Sequence, residues 1–280
     1  MRRADGSLPL RHAVALGLAQ GPTELLPVSS SAHTTLVPFL LGWPYSSLDG
    51  QLRKSFEVAL HAGAGVALAI DMRRELIDAA RELDRRRLTT VALSLAPAAA
   101  AGLALGSTVE RRLGGPRSIA AGLAGGGVAM AVADRRAPPR GRSHDDARPA
   151  DGLALGIAQA VALVPGVSRY GATLTAARAR GFSRADAQSL SWHAALPVML
   201  GASALKGLQL TRRPLPAGAG APLAAGGASA LLSTLLSARV LQRRIGGLRS
   251  LLPYAVYRLA LAALVAARLR RSAATNARQI

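Results

Sequence analysis

The chain has 280 residues, half of them apolar, and carries a formal net charge of +20 at pH 7. A soluble domain this basic would suggest a nucleic-acid partner, but the charges lie in short clusters separated by nearly uncharged runs. These runs cover 89–109, 118–133, 152–168 and 217–238. Runs of this length can cross roughly 30 Å of hydrocarbon as helices. The composition therefore predicts a multi-pass membrane protein and argues against nucleic-acid binding.

Hydropathy and proline placement predict eight helices and two shorter, more polar segments. The helices are expected near 8–20, 55–71, 89–109, 118–133, 151–164, 186–206, 222–240 and 250–268. The two polar segments, 23–42 and 165–180, start beside a proline and are too short or too polar to span comfortably. We interpret them as re-entrant segments, with kinked spanning helices as the alternative. The chain has no cysteine, which excludes disulfides and thiolate metal sites.

Arginine clusters at 73–87 and 135–148 flank the two predicted crossings at 89–109 and 118–133. The positive-inside rule places both clusters in the cytoplasm and the connection 110–117 outside. Segment 239–249 and the tail after Arg268 are also basic, and a single crossing between them cannot put both inside. The side of the C-terminus therefore stays open. No cleavable signal peptide is predicted.

One motif occurs twice, once in each half of the chain: LGLAQGPTELLPVSS at 16–30 and LGIAQAVALVPGVSR at 155–169. The duplication predicts a single membrane domain over 1–280, with halves of about 1–134 and 151–280 joined by a basic, proline-rich loop at 135–150. Paired proline-interrupted segments in two halves are typical of re-entrant elements that meet at a polar site. The predicted fold is an all-α integral membrane protein, a multi-pass helical bundle of two repeats with two re-entrant helical segments.

Polar residues in the first copy suggest chemistry inside the membrane. Gln20 and Glu24 are four residues apart and share a helix face, and Ser29, Ser30 and His33 follow shortly after. Glu24 has the chemistry to hold Mg²⁺ or act as a base, and His33 or Ser30 to attack phosphorus. The structural alternative is that such serines join helices and such a histidine only hydrogen-bonds in the core.

The second copy offers Ser168, Arg169 and Thr173. An arginine can grip phosphate oxygens with a planar fork of donors, and the helix starts after Pro27 and Pro165 favour anions. The structural alternative is that a lone arginine near a helix end extends its charged group to the membrane–water interface, which is the more common case. The placement of these residues and those of the first copy at corresponding positions favours a phosphate site.

These motifs resemble the undecaprenyl-diphosphate phosphatases, the bacitracin-resistance protein family. That family has a Glu-or-Gln, three residues, Glu pattern followed by Leu-Pro-apolar-Ser-Ser and His, and a second motif Pro-Gly-x-Ser-Arg-Ser-x-x-Thr. Further similarity covers Phe56-Glu57-Val58, Leu196-Pro197-Val198-Met199 and Pro253-Tyr254-Ala255-Val256-Tyr257-Arg258. The resemblance therefore extends over nearly the whole chain in family order.

The resemblance implies a bacterial plasma-membrane hydrolase that removes the terminal phosphate of a C55 polyprenyl diphosphate. The product is the monophosphate carrier of cell-wall synthesis, and the activity confers bacitracin resistance. The resemblance also implies interlocking inverted repeats, a site open to the outer face and dependence on Mg²⁺ or Ca²⁺. The matching catalytic positions are Glu24, Ser30, His33 and Arg169, with Gln20, Ser29, Ser168, Thr173 and Gly166 binding substrate or phosphate. Glu24, alone or with Gln20 or Glu57, is the expected metal ligand.

Three departures from the family pattern bear on metal and substrate. Tyr170 replaces a serine, Gln20 is the uncharged option at its position, and Ser189-Leu190-Ser191-Trp192-His193 stands where Glu-Phe-Ser-Phe-Leu is typical. The nucleophile stays open between His33, Ser30 and water, with His33 favoured because a neutral imidazole needs no base. A polyprenyl-phosphate transporter is the alternative function, and a homodimer is one of the allowed assemblies.

Overall fold

The computed structural model describes residues 7–82, 84–138, 141–211, 215, 217–245 and 250–277. The described part contains eleven α-helices: α1 (Leu10–Leu25), α2 (Ser30–Leu41), α3 (Gly50–Asp71), α4 (Arg73–Arg81), α5 (Arg85–Leu113), α6 (Pro116–Arg136), α7 (Pro149–Val161), α8 (Arg169–Ala179), α9 (Arg184–Thr211), α10 (Gly220–Ile245) and α11 (Leu252–Ala277). Its only β-pairing is an isolated bridge between Arg142 and Phe182. Arg140 of the predicted basic loop and residues 246–249 of the basic segment 239–249 lie outside the described residues.

Three of these helices are long and apolar enough to cross a membrane: Arg85–Leu113, Gly220–Val240 and Leu252–Ala274. A fourth crossing arises if α3 and α4, which meet at an angle of 67°, are taken as one broken span. The prediction of an all-α membrane protein is confirmed. Helix α6, predicted as a crossing over 118–133, is not among the three, because its glycines lower its hydropathy.

The chain divides into two compact units, and each draws on both sequence halves. The first unit comprises residues 1–25, 33–83 and 196–246, and the second comprises 26–32, 84–195 and 247–280. In the first unit α10 packs along α1 and α3, around a core that includes Leu16, Phe56 and Leu60. In the second unit α5 packs along α7, and α6 along α11 and α8. Helices from one half thus find their main partners in the other half.

Helix α1 continues to Leu25, five residues past its predicted end, although it contains Pro22. Proline lacks an N–H group, so the carbonyl four residues earlier, that of Leu18, loses its helical donor. The Ser233 hydroxyl of α10 donates to this carbonyl at 2.5 Å. The prediction that the helix ends at residue 20 was wrong because this donor lies far away in the chain, in the other half. As a result, Glu24 lies on α1 and not in a separate segment.

Glycines allow the main chains of partner helices to approach closely in both units. A Cβ atom on Gly17 would lie 2.5 Å from the Gly226 carbonyl oxygen of α10. A Cβ atom on Gly156 of α7 would lie 2.3 Å from the Leu93 carbonyl oxygen of α5. Small residues at such crossings are a common means of helix association in lipid. Gly17 and Gly156 are the second residues of the two motif copies, so the duplication preserves this packing.

Arginine–carboxylate bonds fix the basic loop to the start of α7. Arg142 donates to both carboxylate oxygens of Asp151, at 2.8 and 3.2 Å, and Arg180 donates to Asp151 at 2.7 Å. Burial raises the pKa of Asp151, but the bonds from Arg142, the Arg148 N–H group and Arg180 outweigh burial and lower it to about 2. Asp151 is therefore ionised at neutral pH, as a buried carboxylate held by guanidinium groups should be.

Two short elements were not predicted from the sequence. Helix α4 occupies part of the first arginine cluster, which was assigned to a loop, and a 3₁₀ turn covers His144–Asp146. None of the residues of α4 is buried. One sequence signal for this helix was present: Asp78 and Arg81 have opposite charges and are three residues apart, a helical spacing, and they form an ion pair at 3.5 Å.

Candidate active site

Helices α7 and α8 form a hairpin that returns to its own starting point. Asp151 in the first turn of α7 and Arg180 just after α8 are bonded at 2.7 Å. The chain therefore enters along α7, turns at residues 162–168 and comes back along α8, with the two helices in contact. This return is the backbone geometry that the predicted re-entrant segment of the second copy requires.

The first copy closes in the same way with different chemistry. The rings of His12 in α1 and Trp43, just after α2, stack with centroids 3.9 Å apart and an interplanar angle of 4°. His12 and Asp151 are separated along the chain by the same distance as the two motif copies, and so are Trp43 and Phe182. Phe182 lies under the Arg142 guanidinium at 4.3 Å. The two equivalent positions thus stack directly in the first hairpin, whereas in the second hairpin Asp151 and Phe182 both contact Arg142.

Two helix breaks connect these helices: residues 26–29 between α1 and α2, and residues 162–168 between α7 and α8. Each break ends in a serine with left-handed backbone geometry. Ser29 has a φ of 74° and Ser168 a φ of 68°, and no other non-glycine residue in the described ranges has a positive φ. Such a conformation costs on the order of 1–3 kcal/mol and is found mostly at functional sites. Helix α2 begins at the next residue, Ser30, and α8 begins at Arg169. The two strained residues occupy matching positions in the repeat.

Glycine is required in the second break. Gly166 has a φ of 95°, and a Cβ atom there would lie 2.2 Å from the Ile119 carbonyl oxygen of α6. Turn hydrogen bonds shape both breaks: Val28 N–H donates to the Leu26 carbonyl at 2.7 Å, and Val167 N–H to the Val164 carbonyl at 3.1 Å. The backbone here is thus held by local bonds and by close contact with α6.

The tips of the two breaks meet at one side chain, Arg258 of α11. Its guanidinium donates to the carbonyl oxygens of Pro27, Gly166 and Val167, at 3.4, 3.0 and 2.8 Å. Arg258 is completely buried. The first residues of α2 and α8 therefore belong to the same part of the second unit, as a shared phosphate site requires.

The side chains of the second motif are partly engaged in capping α8. Ser168 accepts a hydrogen bond from Gly171 N–H at 3.1 Å, which makes it the N-cap. The Thr173 hydroxyl donates to the carbonyls of Arg169 and Tyr170, both at 3.1 Å, so it offers a ligand only its acceptor lone pairs. Arg169 is half-buried at the helix start.

Gln20 and Glu24 share a face of α1, as predicted, and are bonded to each other. Gln20 Nε2 donates to Glu24 Oε2 at 3.0 Å. Gln20 is buried, and its Oε1 is one of few side-chain atoms within the described ranges that are buried without a hydrogen-bond partner. Its repeat counterpart Gln159 also has an unpartnered Oε1, while its amide donates to the Ser94 and Ala194 carbonyls. A buried oxygen of this kind suits a bound cation or water.

The predicted site residues are distributed over both units. Ser29, Ser30, Gly166, Ser168, Arg169 and Thr173 belong to the second unit, and Gln20, Glu24, His33 and Glu57 to the first. Ser30 and His33 are three residues apart on α2, which places them on one helix face, and both are buried. Glu57 of α3 forms an ion pair with Lys54 at 3.7 Å.

The oxygen atoms of Glu24 and Gln20 suit a hard cation that takes most of its other ligands from water and a bound phosphate compound. No group of three or more His, Asp or Glu side chains gathers within the described part of the chain. Mg²⁺ is commonly bound through one or two carboxylates, water and substrate phosphates. Glu24, with the unpartnered Gln20 oxygen four residues away, fits that kind of site and not a complete protein cage.

Sequence reasoning missed two features around the second motif. Arg258 was noted only as the end of a family motif, although an arginine inside an apolar helix is by itself a functional signal. Tyr170 and Trp192 were treated as separate departures, but their rings stack with centroids 4.5 Å apart. No local pattern pairs two residues that stand on different helices, so that contact could not be read from the sequence.

Comparison with known proteins gives matches over almost the whole chain. The family described as bacitracin resistance protein BacA matches residues 13–264. An undecaprenyl-diphosphatase of Geobacter sulfurreducens is 40% identical over 265 residues, covering 90% of this chain and 95% of the relative. The undecaprenyl-diphosphatase of Pelobacter propionicus is 40% identical, covering 89% and 93%. That of Geobacter metallireducens is 38% identical, covering 89% and 94%.

Proposed function

The chain belongs to the bacitracin resistance protein BacA family, and we infer from this membership that it removes the terminal phosphate of undecaprenyl diphosphate. It is a membrane-bound phosphatase that acts on a lipid. The structural observation that supports this inference is the duplicated helix break, in which two strained serines each precede a helix start and both breaks reach one buried arginine. Helix N-termini are ready sites for phosphate.

We propose that Arg169 holds the terminal phosphate and that Ser29, Ser30 and Ser168 line its oxygens. Thr173 joins them when its hydroxyl turns from the Arg169 and Tyr170 carbonyls to donate to the phosphate. Arg169 is the first residue of α8 and is half-buried, which leaves its guanidinium a route to a ligand. A guanidinium binds two phosphate oxygens at once and stabilises the charge that develops as the anhydride breaks. Gly166 contributes by letting the backbone bend, and Gln20 by orienting Glu24.

The site opens towards the outer face in our proposal, and α7 supports this. Its base lies at the arginine-rich loop, which the positive-inside rule assigns to the cytoplasm. Thirteen residues of helix rise about 20 Å, so an upright α7 that starts at the inner edge of the hydrocarbon core would bring the break roughly two thirds of the way across it. A site at that depth is reached more easily from the outer side.

The homodimer allowed by the sequence is tested separately by the mass of the detergent-solubilised protein.

Phosphate release by the purified protein in detergent tests the function. An enzyme needs no compartments, whereas the alternative, a transporter, releases nothing in micelles. Arg169→Lys should lower kcat/KM by about tenfold or more, which is about 1.4 kcal/mol, because an ammonium cannot reproduce a bidentate clamp. Arg111→Lys, on an exposed arginine in the last turn of α5, is the matched control. Retention of activity within about twofold by Arg169→Lys would exclude the clamp role.

We propose that Glu24 is the main ligand of a divalent cation, Mg²⁺ or Ca²⁺. When bound, such an ion would neutralise charge on the diphosphate oxygens. Gln20 fixes one Glu24 oxygen by hydrogen bonding and presents its own oxygen nearby in sequence, whereas Glu57 already pairs with Lys54. EDTA should abolish hydrolysis, and Mg²⁺ or Ca²⁺ should restore it. Glu24→Gln should raise the Mg²⁺ concentration needed for half-maximal activity. Full activity in excess chelator would leave Glu24 as a base alone.

The nucleophile is proposed to be His33. Its imidazole would attack the terminal phosphorus as the P–O bond of the anhydride breaks and undecaprenyl phosphate leaves. Water then hydrolyses the phosphohistidine. Rapid quench with substrate labelled at the terminal phosphate should give a protein label that is lost in acid and kept in alkali. An acid-stable label on Ser30 would identify serine as the nucleophile. A label that never appears would indicate direct attack by water.

A further inference from the structure

Arg258 is a buried cation bonded entirely to backbone oxygens. Within the described residues, its five hydrogen bonds go to main-chain carbonyls and it takes part in no salt bridge. Besides the two breaks, it donates to Leu123 and Gly122 of α6, at 3.2 and 3.3 Å. A buried charge without a carboxylate partner is costly unless its donors are satisfied. Retaining one here suggests a purpose beyond packing.

Two of the surrounding helices make room for this guanidinium with a glycine. A Cβ atom on Gly126 of α6 would lie 2.1 Å from Arg258 Nη2, and one on Gly171 of α8 would lie 2.7 Å from Nη1. Two glycines from different helices thus shape a pocket around the side chain. Since Gly171 is in the first turn of α8, the pocket reaches the start of the helix that carries Arg169.

The bonds from Arg258 fix the direction of the peptide groups next to the strained serines. A trans peptide is planar, so a carbonyl drawn towards the guanidinium points the following N–H group the opposite way. The Val167 carbonyl, at 2.8 Å, belongs to the peptide that precedes Ser168. The Pro27 carbonyl lies two residues before Ser29 and is drawn to the same group at 3.4 Å. One side chain therefore sets the bend of both breaks.

We propose that Arg258 is a positioning residue of the phosphatase. It holds both breaks so that Ser30 and Arg169, the first residues of α2 and α8, meet the diphosphate in a fixed relation. The proposal rests on the function proposed above. Arg258 acts only through the backbone, so its loss should lower kcat more than it changes KM.

Two variants test the role in different ways. Arg258→Lys keeps the charge but cannot reach five carbonyls. Gly126→Ala leaves Arg258 in place but pushes Nη2 away from the Val167 carbonyl, and alanine is favoured over glycine within a helix. Each should lower kcat by about 10- to 100-fold, the scale expected when reacting groups are misplaced by about 1 Å. If Arg258→Lys does not fold, Gly126→Ala carries the test.

Matched controls separate positioning from simple destabilisation. Gly125→Ala changes the neighbouring glycine of α6, where a Cβ meets nothing within 4 Å, and should keep kcat. Arg178→Lys alters another fully buried arginine, bonded to Asp134 at 3.1 Å, and should lower thermal stability without changing kcat of the folded protein. If Gly126→Ala and every folded Arg258→Lys sample stay within about twofold of Gly125→Ala, the proposal is wrong. Equal kcat losses in Arg178→Lys and Arg258→Lys would also overturn it.

Hydrogen exchange measured by mass spectrometry gives a readout that does not depend on activity. Arg258→Lys and Gly126→Ala should speed exchange at residues 26–30 and 162–169, with little change in α5 or α10. Unchanged exchange at both breaks would overturn the proposal. If the wild-type protein releases no phosphate, the proposed function fails, and the exchange data alone then decide whether Arg258 holds the breaks.

Discussion

Two residues at which this chain departs from its family pattern contact each other. Tyr170, in place of the expected serine, stacks on Trp192 at 4.5 Å with an interplanar angle of 26°. Both rings are buried. Tyr170 directly follows Arg169, so the stack joins the start of α8 to α9 next to the proposed phosphate clamp. The bulky phenol therefore points into the protein, and the departure is compensated by its partner.

Replacing Tyr170 with the serine of the family pattern should lower the stability of the protein. Tyr170→Ser removes the stack and leaves a void beside Trp192, whereas Trp192→Phe reduces the overlap. A double-mutant cycle, measured by chemical unfolding in mixed micelles, should show a coupling of about 0.5–1.5 kcal/mol. Strictly additive effects would mean that the two rings contribute only their separate burial.

The repeat preserves helix packing while it changes the helices' partners. Gly17 and Gly156 occupy the same place in α1 and α7, and each lies against a backbone carbonyl of a helix from the other half of the chain. Leu93, whose carbonyl meets Gly156, lies four residues before Pro97, so proline leaves this oxygen without its helical donor. The close approach of α7 covers it.

Gly156→Ala should lower thermal stability, because its Cβ would collide with a main-chain oxygen that cannot move without shifting α5. The expected loss is about 1–3 kcal/mol, typical of overpacking. Gly102→Ala is the control on α5 itself, since a Cβ there meets nothing within 4 Å. That variant should be neutral or gain up to about 1 kcal/mol from helix propensity. Similar unfolding midpoints for the two variants would show that α5 and α7 can separate at little cost.

Sequence patterns predicted the helical content and the two chain turns near Pro27 and Pro165, because proline and polar residues interrupt apolar runs at these places. Helix ends were less predictable. Pro22 argues for an end of α1 unless Ser233 is known to supply the missing donor. The site was predictable as a set of residue types, but Ser29, Ser168 and their strained φ values depend on the tertiary contacts of Arg258. Those contacts join residues that are remote from one another in the sequence.

At the scale of the whole molecule, several of the clustered arginines are held in place by buried carboxylates. Asp134 accepts bonds from Arg178, Arg184 and the Leu251 N–H group, at 3.1, 2.8 and 3.1 Å. It thereby joins the end of α6 to α8, α9 and the residue before α11. Asp151 plays the same part for the basic loop. The two buried carboxylates organise the arginine-rich end of the second unit.

Acid should remove the contribution of Asp151 in a defined range. An unfolded aspartate has a pKa near 3.9, and the folded value is about 2, so the stabilisation is complete above about pH 4 and is lost as pH falls towards 2. The difference in unfolding midpoint between wild type and Asp151→Asn should be constant from pH 8 to 5 and shrink below 4. Asp145→Asn, on an exposed pair with Arg87, should differ little from wild type at any pH. A midpoint difference that stays constant down to pH 2 would contradict the lowered pKa.

The exchange of partners between the two halves has a consequence for biosynthesis. Helix α1 emerges from the ribosome long before α10, and α5 before α7, so the first half enters the membrane with its principal contacts not yet made. The Leu18 carbonyl lacks its hydrogen-bond donor until Ser233 has been translated with the second half. Inserted helices must therefore persist without their partners until most of the chain is translated. Only when α10 arrives do α1 and α3 gain the helix against which they pack.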